Sequence, residues 1–307
     1  MILGGSPVLS FPDSKSWREA YKKLDCLIVL DRYFTEDARY ADVVFPACSL
    51  FEVPKAVPGP EGPHIVEPLI EPVGESKNDV LIMGAIAKKL GFGDKLPQTE
   101  EELRSWLLSG TAPYAGDFGT SADQKKEKHY KKYETGELRA DGKPGFPTPS
   151  GKLEICSTIL EENGFVPYPE YKDVRSIPGL AGKEYPFTMT SGARSNNRMG
   201  VFGANLDKIA EIEPYPFVDI NAEDAKEIGI KDGDMVKVIT PFADGTFKAK
   251  IRGIARHAIH IPHGGGSAYM AEPWKNGNVN DLCSLDYADP MTGFVLIKSV
   301  PCRVEKV

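Results

Sequence analysis

The chain has 307 residues, of which 41% are hydrophobic and 26% are charged, a composition typical of globular proteins with one or two domains. Its formal net charge of −7 disfavours binding to nucleic acid or to an anionic membrane surface. No apolar run approaches the roughly 20 residues that a membrane-spanning helix needs, so no membrane insertion is predicted. No secretory signal sequence opens the chain, so a cytoplasmic location is expected if the chain is complete as given.

The cysteines are too far apart to form a recognisable cluster-binding motif. No CxxC pair occurs, and an iron–sulfur cluster needs closely spaced thiolates, so no cluster is predicted within this chain. We expect the cysteines to be small buried residues of a protein from a reducing compartment. They are Cys26, Cys48, Cys156, Cys283 and Cys302.

The first 46 residues alternate between apolar runs and helical segments. Strands are predicted at 2–3, 26–30 and 42–46, and helices at 14–24 and 35–40. This order is typical of an α/β domain with a mostly parallel sheet. Because the chain begins inside the first strand, we expect it to be the back part of a longer polypeptide.

Ligands of parallel sheets bind beyond the carboxyl ends of the strands, where Ser6, Asp31 and Pro46 are expected to cluster. Asp31 follows an apolar run directly. A carboxylate at this position can act as a general base or cap the following helix, and the residues alone leave both roles open.

The middle of the chain carries weaker signals. An amphipathic helix is predicted at 81–90, with Ile82, Ile86 and Leu90 on its apolar face. Thr99 with Glu102 forms a capping-box pattern before a second helix. The basic run at 124–132 is either a docking patch for a partner or a solvated helix face. A Pro-Ser-Gly-Lys turn precedes a predicted strand at 153–156.

The last third is predicted to contain a strand, a short helix, a tight turn and a second strand. The first strand ends at Asn221, which is a good N-cap for a helix at 222–227. Asp232-Gly233-Asp234 is the predicted turn, and residues 235–240 resume the period-2 alternation of a strand.

Two Gly-rich loops flank this unit, one at 190–194 and one at 263–266. Each follows a short apolar run, so each is expected at a strand end, where backbone N–H groups suit an anionic, phosphate-bearing ligand.

Three histidines at intervals of three also raise the question of a metal site. Residues three apart on a strand point to opposite faces, and Pro262 disfavours a helix that could gather them. We therefore expect His257 and His260 to be structural or exposed, and His263 to belong to the Gly-rich loop.

Five segments in the last third, in this order, carry a family resemblance: TSGAR, INAEDAKEIGIKDGDMVKV, PHGGG, NGNVNDL and DPMTG followed by a lysine. The segments GGSPVLSFPDS, VLDRYFTEDARYADVVFPA and GESKNDVLIMGAIAKKLG extend it to the start. Together they resemble the C-terminal portion of molybdopterin oxidoreductases of the dimethyl sulfoxide reductase family. The family commonly has Asn at the position of Ser6.

The resemblance implies a fold with two domains. Residues 1–166 would form an α/β domain, the family's third domain, with a partial, mostly parallel Rossmann-like sheet. Residues 167–183 would be a linker, and 184–307 a double-psi β-barrel that binds molybdopterin dinucleotide.

The resemblance also implies the cofactor, a pair of molybdopterin guanine dinucleotides (bis-MGD) carrying molybdenum or tungsten. Asp31 would recognise a guanine edge, since a carboxylate can accept two N–H bonds. No residue of this chain would be a catalytic residue or a metal ligand. The implied cofactor-binding residues are Gly5, Ser6, Asp31, Thr35, Asp42, Thr190, Ser191, Gly192, Arg194, His263, Gly264, Asn280 and Lys298.

Nothing in the sequence resembles the family's N-terminal cysteine cluster, its first two domains or its metal-ligand segment. The expected function is therefore the cofactor-covering part of an oxidoreductase that has no turnover alone. Its expected partners are the missing N-terminal domains or a catalytic subunit, and an iron–sulfur electron-transfer subunit. A stand-alone binding module without turnover is the alternative. A nicotinamide dehydrogenase is disfavoured because no GxGxxG motif opens a helix after a strand.

Overall fold

The computed structural model describes residues 1–59, 62–109, 131–180, 182–193, 205–270, 272–275 and 277–307. They fold as two compact units. The first comprises Met1–Val53, Leu69–Leu96 and Asp173–Val307, and the second comprises Pro54–Pro68 and Pro97–Lys172. The first unit thus holds both the N-terminal sheet and the last third of the chain. The predicted boundaries at 166 and 184 stay a prediction.

The N-terminal sheet has three parallel strands in the order β1-β2-β3, as predicted. They are β1 (Ile2–Leu3), β2 (Ile28–Asp31) and β3 (Val43–Pro46). One face packs on an apolar cluster that includes Val8, Leu9, Val29 and Trp274. Trp274 comes from the last third of the chain, so both regions contribute residues to this cluster.

Two helices and a 3₁₀ turn connect these strands. Helix α1 (Pro7–Ser10) was not predicted; Pro7 occupies its first turn, where a missing N–H costs nothing. Helix α2 (Ser14–Tyr21) ends before the predicted limit at Leu24, and the 3₁₀ helix spans Asp37–Tyr40.

The last third closes into a six-stranded barrel with the strand order β10-β6-β11-β8-β9-β7. Its strands are β6 (Phe187–Thr190), β7 (Phe217–Asn221), β8 (Met235–Ile239), β9 (Asp244–Arg252), β10 (Ala258–His260) and β11 (Lys298–Lys306). Alternate side chains such as Met189, Val238 and Ile259 are fully buried inside it. The pairs β10–β6 and β7–β9 are parallel, and the other four pairs are antiparallel.

The predicted strand–helix–turn–strand unit is confirmed. Asn221 Oδ1 accepts a 2.9 Å hydrogen bond from the N–H of Glu223 and so caps helix α8 (Ala222–Glu227). Gly233 takes a φ of +85° in the turn before β8. Helix α7 (Asp207–Ile212) precedes β7.

Helix α3 (Asp79–Lys89) also belongs to the first unit. Its N-cap is Asn78, whose side chain accepts from the N–H of Val80. Ile82 is buried, as the predicted apolar face requires. The placement of Leu90 on that face is wrong, because Leu90 lies past the helix end and is 66% exposed.

In the second unit, the described residues form the short hairpin β4–β5 and three helices. They are β4 (Lys55–Val57), β5 (His64–Val66), α4 (Glu100–Leu108), α5 (Lys132–Thr135) and α6 (Thr158–Glu162). Thr99 caps α4 as predicted, whereas Glu102 bonds to the N–H of Gln98. The strand predicted at 153–156 is wrong: Leu153 and Ile155 are exposed, and this segment pairs with no strand among the described residues.

Most of the basic run at 124–132 lies outside the described residues. None of the described helices combines the length and the apolar character that crossing a membrane requires.

Candidate cofactor-binding site

The two Gly-rich loops lie side by side at one end of the barrel. The first follows β6 and the second follows β10, and these two strands are parallel neighbours, so both loops leave from the same end. The N–H of Ile261 donates to the Thr190 carbonyl (3.1 Å), and the N–H of His263 donates to the Ala193 carbonyl (3.0 Å). The structure therefore brings Thr190, Ser191 and Gly192 next to His263 and Gly264.

Several backbone donors in these loops are available to a ligand. Gly192, Gly264 and Gly265 have φ values of +103°, +137° and +93°. Within the described residues, their N–H groups donate to no protein acceptor. Gly264 and Gly265 are buried, and a buried N–H normally finds a partner. Such donors match the oxygen atoms of a phosphate.

Gly266 has a different role, because it packs against the protein. Its N–H donates to the Trp274 carbonyl at 2.7 Å. A Cβ atom at this position would lie 2.5 Å from the Cβ of Asn278. The third glycine therefore allows the loop to pack closely against the turn that carries Asn278 and Asn280.

Asn280 connects this loop to the N-terminal region. It is 5% exposed, in the 3₁₀ helix Val279–Leu282. Its Nδ2 donates to the Leu9 carbonyl (2.7 Å) and lies 3.3 Å from Nδ1 of His263. Its own carbonyl accepts from the N–H of Asp13. The predicted pterin contact is thus a residue that joins the barrel to α1 and α2.

At the carboxyl end of β1, Ser6 contacts a residue that the sequence analysis missed. The hydroxyl of Ser6 donates to Asp37, which is fully buried. Asp37 also accepts from the N–H of Val8 (3.1 Å) and from the hydroxyl of Tyr21 (2.7 Å). Burial, and then the bond to Asp37, raise the pKa of Tyr21. The sequence signal that could have identified Asp37 is a carboxylate within the short helix predicted at 35–40.

Asp31 lies at the carboxyl end of β2, as predicted. One oxygen, Oδ1, accepts from the N–H groups of Arg32 (2.7 Å) and Tyr33 (3.2 Å) and so closes a local turn. Among the described residues, none donates to Oδ2. Burial raises the pKa of Asp31, and the two backbone bonds oppose this shift. Asp31 does not cap the following 3₁₀ helix, near whose start the hydroxyl of Thr35 accepts from the N–H of Ala38 (3.3 Å).

The other predicted residues near the sheet have local structural contacts. Asp42 accepts from the N–H of Leu27 at 2.7 Å, which holds the start of β3 beside β2. Gly5 is half-buried between β1 and α1. Glu36 was also not predicted from the sequence, and it is 3% exposed. It pairs with Arg39 and accepts from the N–H of Ala268, which follows the Gly-rich loop at 263–266, called the HGGG loop below.

Lys298, the last predicted residue, is exposed and pairs in register with Thr190. Arg194 lies outside the described residues. His260 lies on the outer face of the barrel, with Nδ1 3.0 Å from the carboxylate of Asp219. His257 lies at a φ of +58°, and its N–H donates to Asp224. The described part of the chain contains no group of three His, Cys, Asp or Glu side chains that could hold a metal ion.

Two family profiles match the chain. The one described as Molybdopterin oxidoreductase matches residues 1–89, and the one described as Molydopterin dinucleotide binding domain matches residues 188–301. They cover the parallel sheet and nearly all of the barrel, including both Gly-rich loops. The chain belongs to the molybdopterin oxidoreductase family.

Individual relatives agree with this family. The chain is 31% identical over 272 residues to the F420-dependent formate dehydrogenase subunit alpha of Methanocaldococcus jannaschii, covering 85% of this chain and 37% of the relative. It is 28% identical to the F420-dependent formate dehydrogenase 2 subunit alpha of Methanococcus maripaludis, covering 100% and 42%. This family member therefore spans less than half the length of these relatives.

A solved structure shows the same fold. Acetylene hydratase from Pelobacter acetylenicus superposes with a TM-score of 0.76 at 22% identity, over 98% of this chain and 43% of that chain. Family membership implies a molybdenum or tungsten pterin cofactor. The donor set fits this group, since the buried Gly264 and Gly265 N–H groups would find their acceptors in its phosphates.

Proposed function

We propose that this chain is the C-terminal part of a molybdenum or tungsten oxidoreductase that carries bis-MGD. In this role it binds a pterin dinucleotide and covers the metal site. The observation that carries the proposal is the pair of adjacent loops on β6 and β10, with buried backbone N–H groups that no described residue satisfies. Phosphate oxygens are the natural acceptors for such groups.

The proposal extends to the architecture and to the two ends of the ligand. The closed six-stranded barrel, with its two parallel pairs, is compatible with a double-psi topology. On the barrel side, the loops at 190–194 and 263–266 would hold the pterin and pyrophosphate. On the sheet side, the Oδ2 acceptor of Asp31 would receive an N–H donor of guanine.

The bound metal pterin would supply the oxygen-atom or electron-transfer chemistry. The residues of this chain would bind and orient it. Ser6 can only accept from a ligand while its own proton is directed to Asp37. The residues proposed to hold the cofactor are Gly5, Ser6, Asp31, Thr35, Asp42, Thr190, Ser191, Gly192, Arg194, His263, Gly264, Asn280 and Lys298.

The chain covers 37% and 42% of the two formate dehydrogenase relatives, which supports a second part of the proposal. Further domains, on the same polypeptide or a separate subunit, would provide the protein ligand to the metal and any iron–sulfur cluster. We therefore expect no turnover with an artificial electron donor from these 307 residues alone. Turnover by the isolated chain would contradict this.

Metal analysis and pterin fluorescence test the proposal on the protein purified together with the remaining domains. We expect molybdenum or tungsten and a guanine-containing pterin to co-purify, and Asp31→Asn to reduce the pterin content. A full-length assembly without metal or pterin would instead support a binding module without turnover.

A further inference from the structure

Asn280 is a buried side chain at the proposed site whose amide group faces two polar atoms. It is 5% exposed, and the two atoms that face its Nδ2 are the Leu9 carbonyl oxygen at 2.7 Å and His263 Nδ1 at 3.3 Å. The polarity of one contact is fixed by chemistry, because a backbone carbonyl can only accept. The NH₂ group of Asn280 must therefore point toward Leu9.

This orientation determines the proton position on His263. The same NH₂ group faces His263 Nδ1, and two donors cannot share one hydrogen bond, so Nδ1 must present its lone pair. A neutral imidazole carries one proton, which must then lie on Nε2. The Leu9 carbonyl, through Asn280, thus sets the tautomer of a histidine on another element.

We propose that Asn280 is also a positioning residue, which fixes His263 in the Nε2–H tautomer. The proton on Nε2 then makes His263 a side-chain donor, on the same loop as the N–H groups of Gly264 and Gly265. A ligand oxygen, whether of a phosphate or of a pterin carbonyl, matches this set. This inference rests on the proposed function for its ligand, but not for its tautomer.

The neighbouring residues make the arrangement rigid. The N–H of Asn280 donates to Asn278 Oδ1 (3.1 Å), and Asn278 Nδ2 donates to Ser14 Oγ (2.8 Å). Asp13, which precedes α2, donates its N–H to the Asn280 carbonyl at 2.8 Å. Any shift of α1 or α2 relative to the barrel would therefore change the hydrogen bond that His263 receives.

Nitrogen-15 NMR of histidine rings tests this directly on the 307-residue chain labelled at histidine. At a pH that keeps the rings neutral, we expect His263 to show an unprotonated Nδ1 and a protonated Nε2, with His263→Gln providing the assignment. His260 is an internal contrast. Its Nδ1 faces the Asp219 carboxylate, so it should show the opposite tautomer.

Asn280→Asp replaces the donor by an acceptor and should reverse the tautomer of His263. Asn221→Asp is the matched control, since it also replaces a side-chain donor to a backbone carbonyl, that of Ile254, and lies outside the network around Asn280. In the complete enzyme, we expect Asn280→Asp to lose pterin on gel filtration at least tenfold faster than Asn221→Asp.

Two results would overturn the inference: an Nδ1–H tautomer of His263 in the unaltered chain, or an unchanged tautomer in a folded Asn280→Asp variant. The first needs no variant to fold. If the tautomers are as expected but the complete enzyme holds no pterin, the proposed function fails and the positioning role of Asn280 stands.

Discussion

At the scale of single residues, the two carboxylate oxygens of Asp31 have different surroundings. Oδ1 closes the turn with the N–H groups of Arg32 and Tyr33. Oδ2 is left for a donor from outside the described chain. Oδ1 of Asp31 therefore has a structural role and Oδ2 a proposed role in binding, and two substitutions can distinguish these roles.

Asp31→Asn should keep the turn through Oδ1 but place an NH₂ donor where guanine needs an acceptor. We expect the complete enzyme to lose guanine-containing pterin at least as severely as Asp31→Ala does, whereas only Ala also loses the turn. Pterin content and melting temperature of both variants provide the measurement. A well-tolerated Asn together with a damaging Ala would contradict the guanine role.

The raised pKa of Asp31 makes the free energy of unfolding depend on pH. Because burial raises this pKa, the folded chain binds this proton more tightly than the unfolded chain does. The free energy of unfolding then decreases as pH rises from the ordinary value of 3.8 through the raised pKa. We therefore expect cofactor-free Asp31→Asn to gain stability relative to the unaltered chain at pH 7 but not at pH 4, as measured by urea unfolding.

The pKa of Glu52 is shifted in the opposite direction to that of Asp31. A hydrogen bond from Ser49, then backbone bonds from Val73 and Ser49, lower its pKa from 4.5 to about 2. Its contribution to stability is present above pH 4.5 and is lost as pH falls toward 2. Glu52→Gln should lower the melting temperature at pH 7 and leave it nearly unchanged near pH 2. The exposed Glu71→Gln is the control; equal effects from both would refute the role of these bonds.

At the scale of elements, the three glycines of the HGGG loop differ in their contacts with the rest of the described chain. Gly264 and Gly265 have N–H groups that no described residue accepts, whereas Gly266 bonds to Trp274 and packs on Asn278. Gly264, Gly265 and Gly266 all have positive φ values, which glycine adopts without strain. A side chain at position 266 would also collide with Asn278.

Gly266→Ala should destabilise the chain by about 2–5 kcal/mol, because left-handed strain of about 1–2 kcal/mol adds to overpacking of about 1–3 kcal/mol. Gly229→Ala is a matched control, since Gly229 has a φ of +70° and open space around it. It should lose only the strain, about 1–2 kcal/mol. Denaturant unfolding of both variants measures the difference, and equal losses would show that the Asn278 contact is unimportant.

At the scale of the whole molecule, the parallel sheet and the barrel belong to one compact unit. Trp274 packs into the cluster of Val8, Leu9 and Val29, and Asn280 and Asp13 join the same regions through hydrogen bonds. A substitution that destabilises the core of the barrel should therefore also destabilise the sheet.

Phe247→Ala removes a fully buried side chain from the barrel and should cost about 3–5 kcal/mol. We expect hydrogen exchange to accelerate in β2 as well as in the barrel strands, because both unfold together. Phe294→Ala, at a position 64% exposed, is the control and should leave both unchanged. Acceleration confined to the barrel would mean that the sheet unfolds independently.

The sequence by itself determined the local elements and the family. The alternation of apolar runs predicted three parallel strands, and Asn221 and Gly233 fixed a helix start and a turn, because caps and positive φ depend on single residues. It also located both Gly-rich loops at strand ends. The strand at 153–156 failed because a strand needs a partner, which a local pattern does not contain.

Only the tertiary structure decided which polar groups meet. Asp37 and Glu36 become buried partners of Ser6 and of the Ala268 N–H through contacts 31 and 232 residues apart in sequence. Asn280 meets Leu9 and His263, which lie 271 and 17 residues away in sequence. Hydrogen-bond polarity depends on which acceptor lies opposite a donor, and chain closure sets that pairing across distances that no sequence window spans.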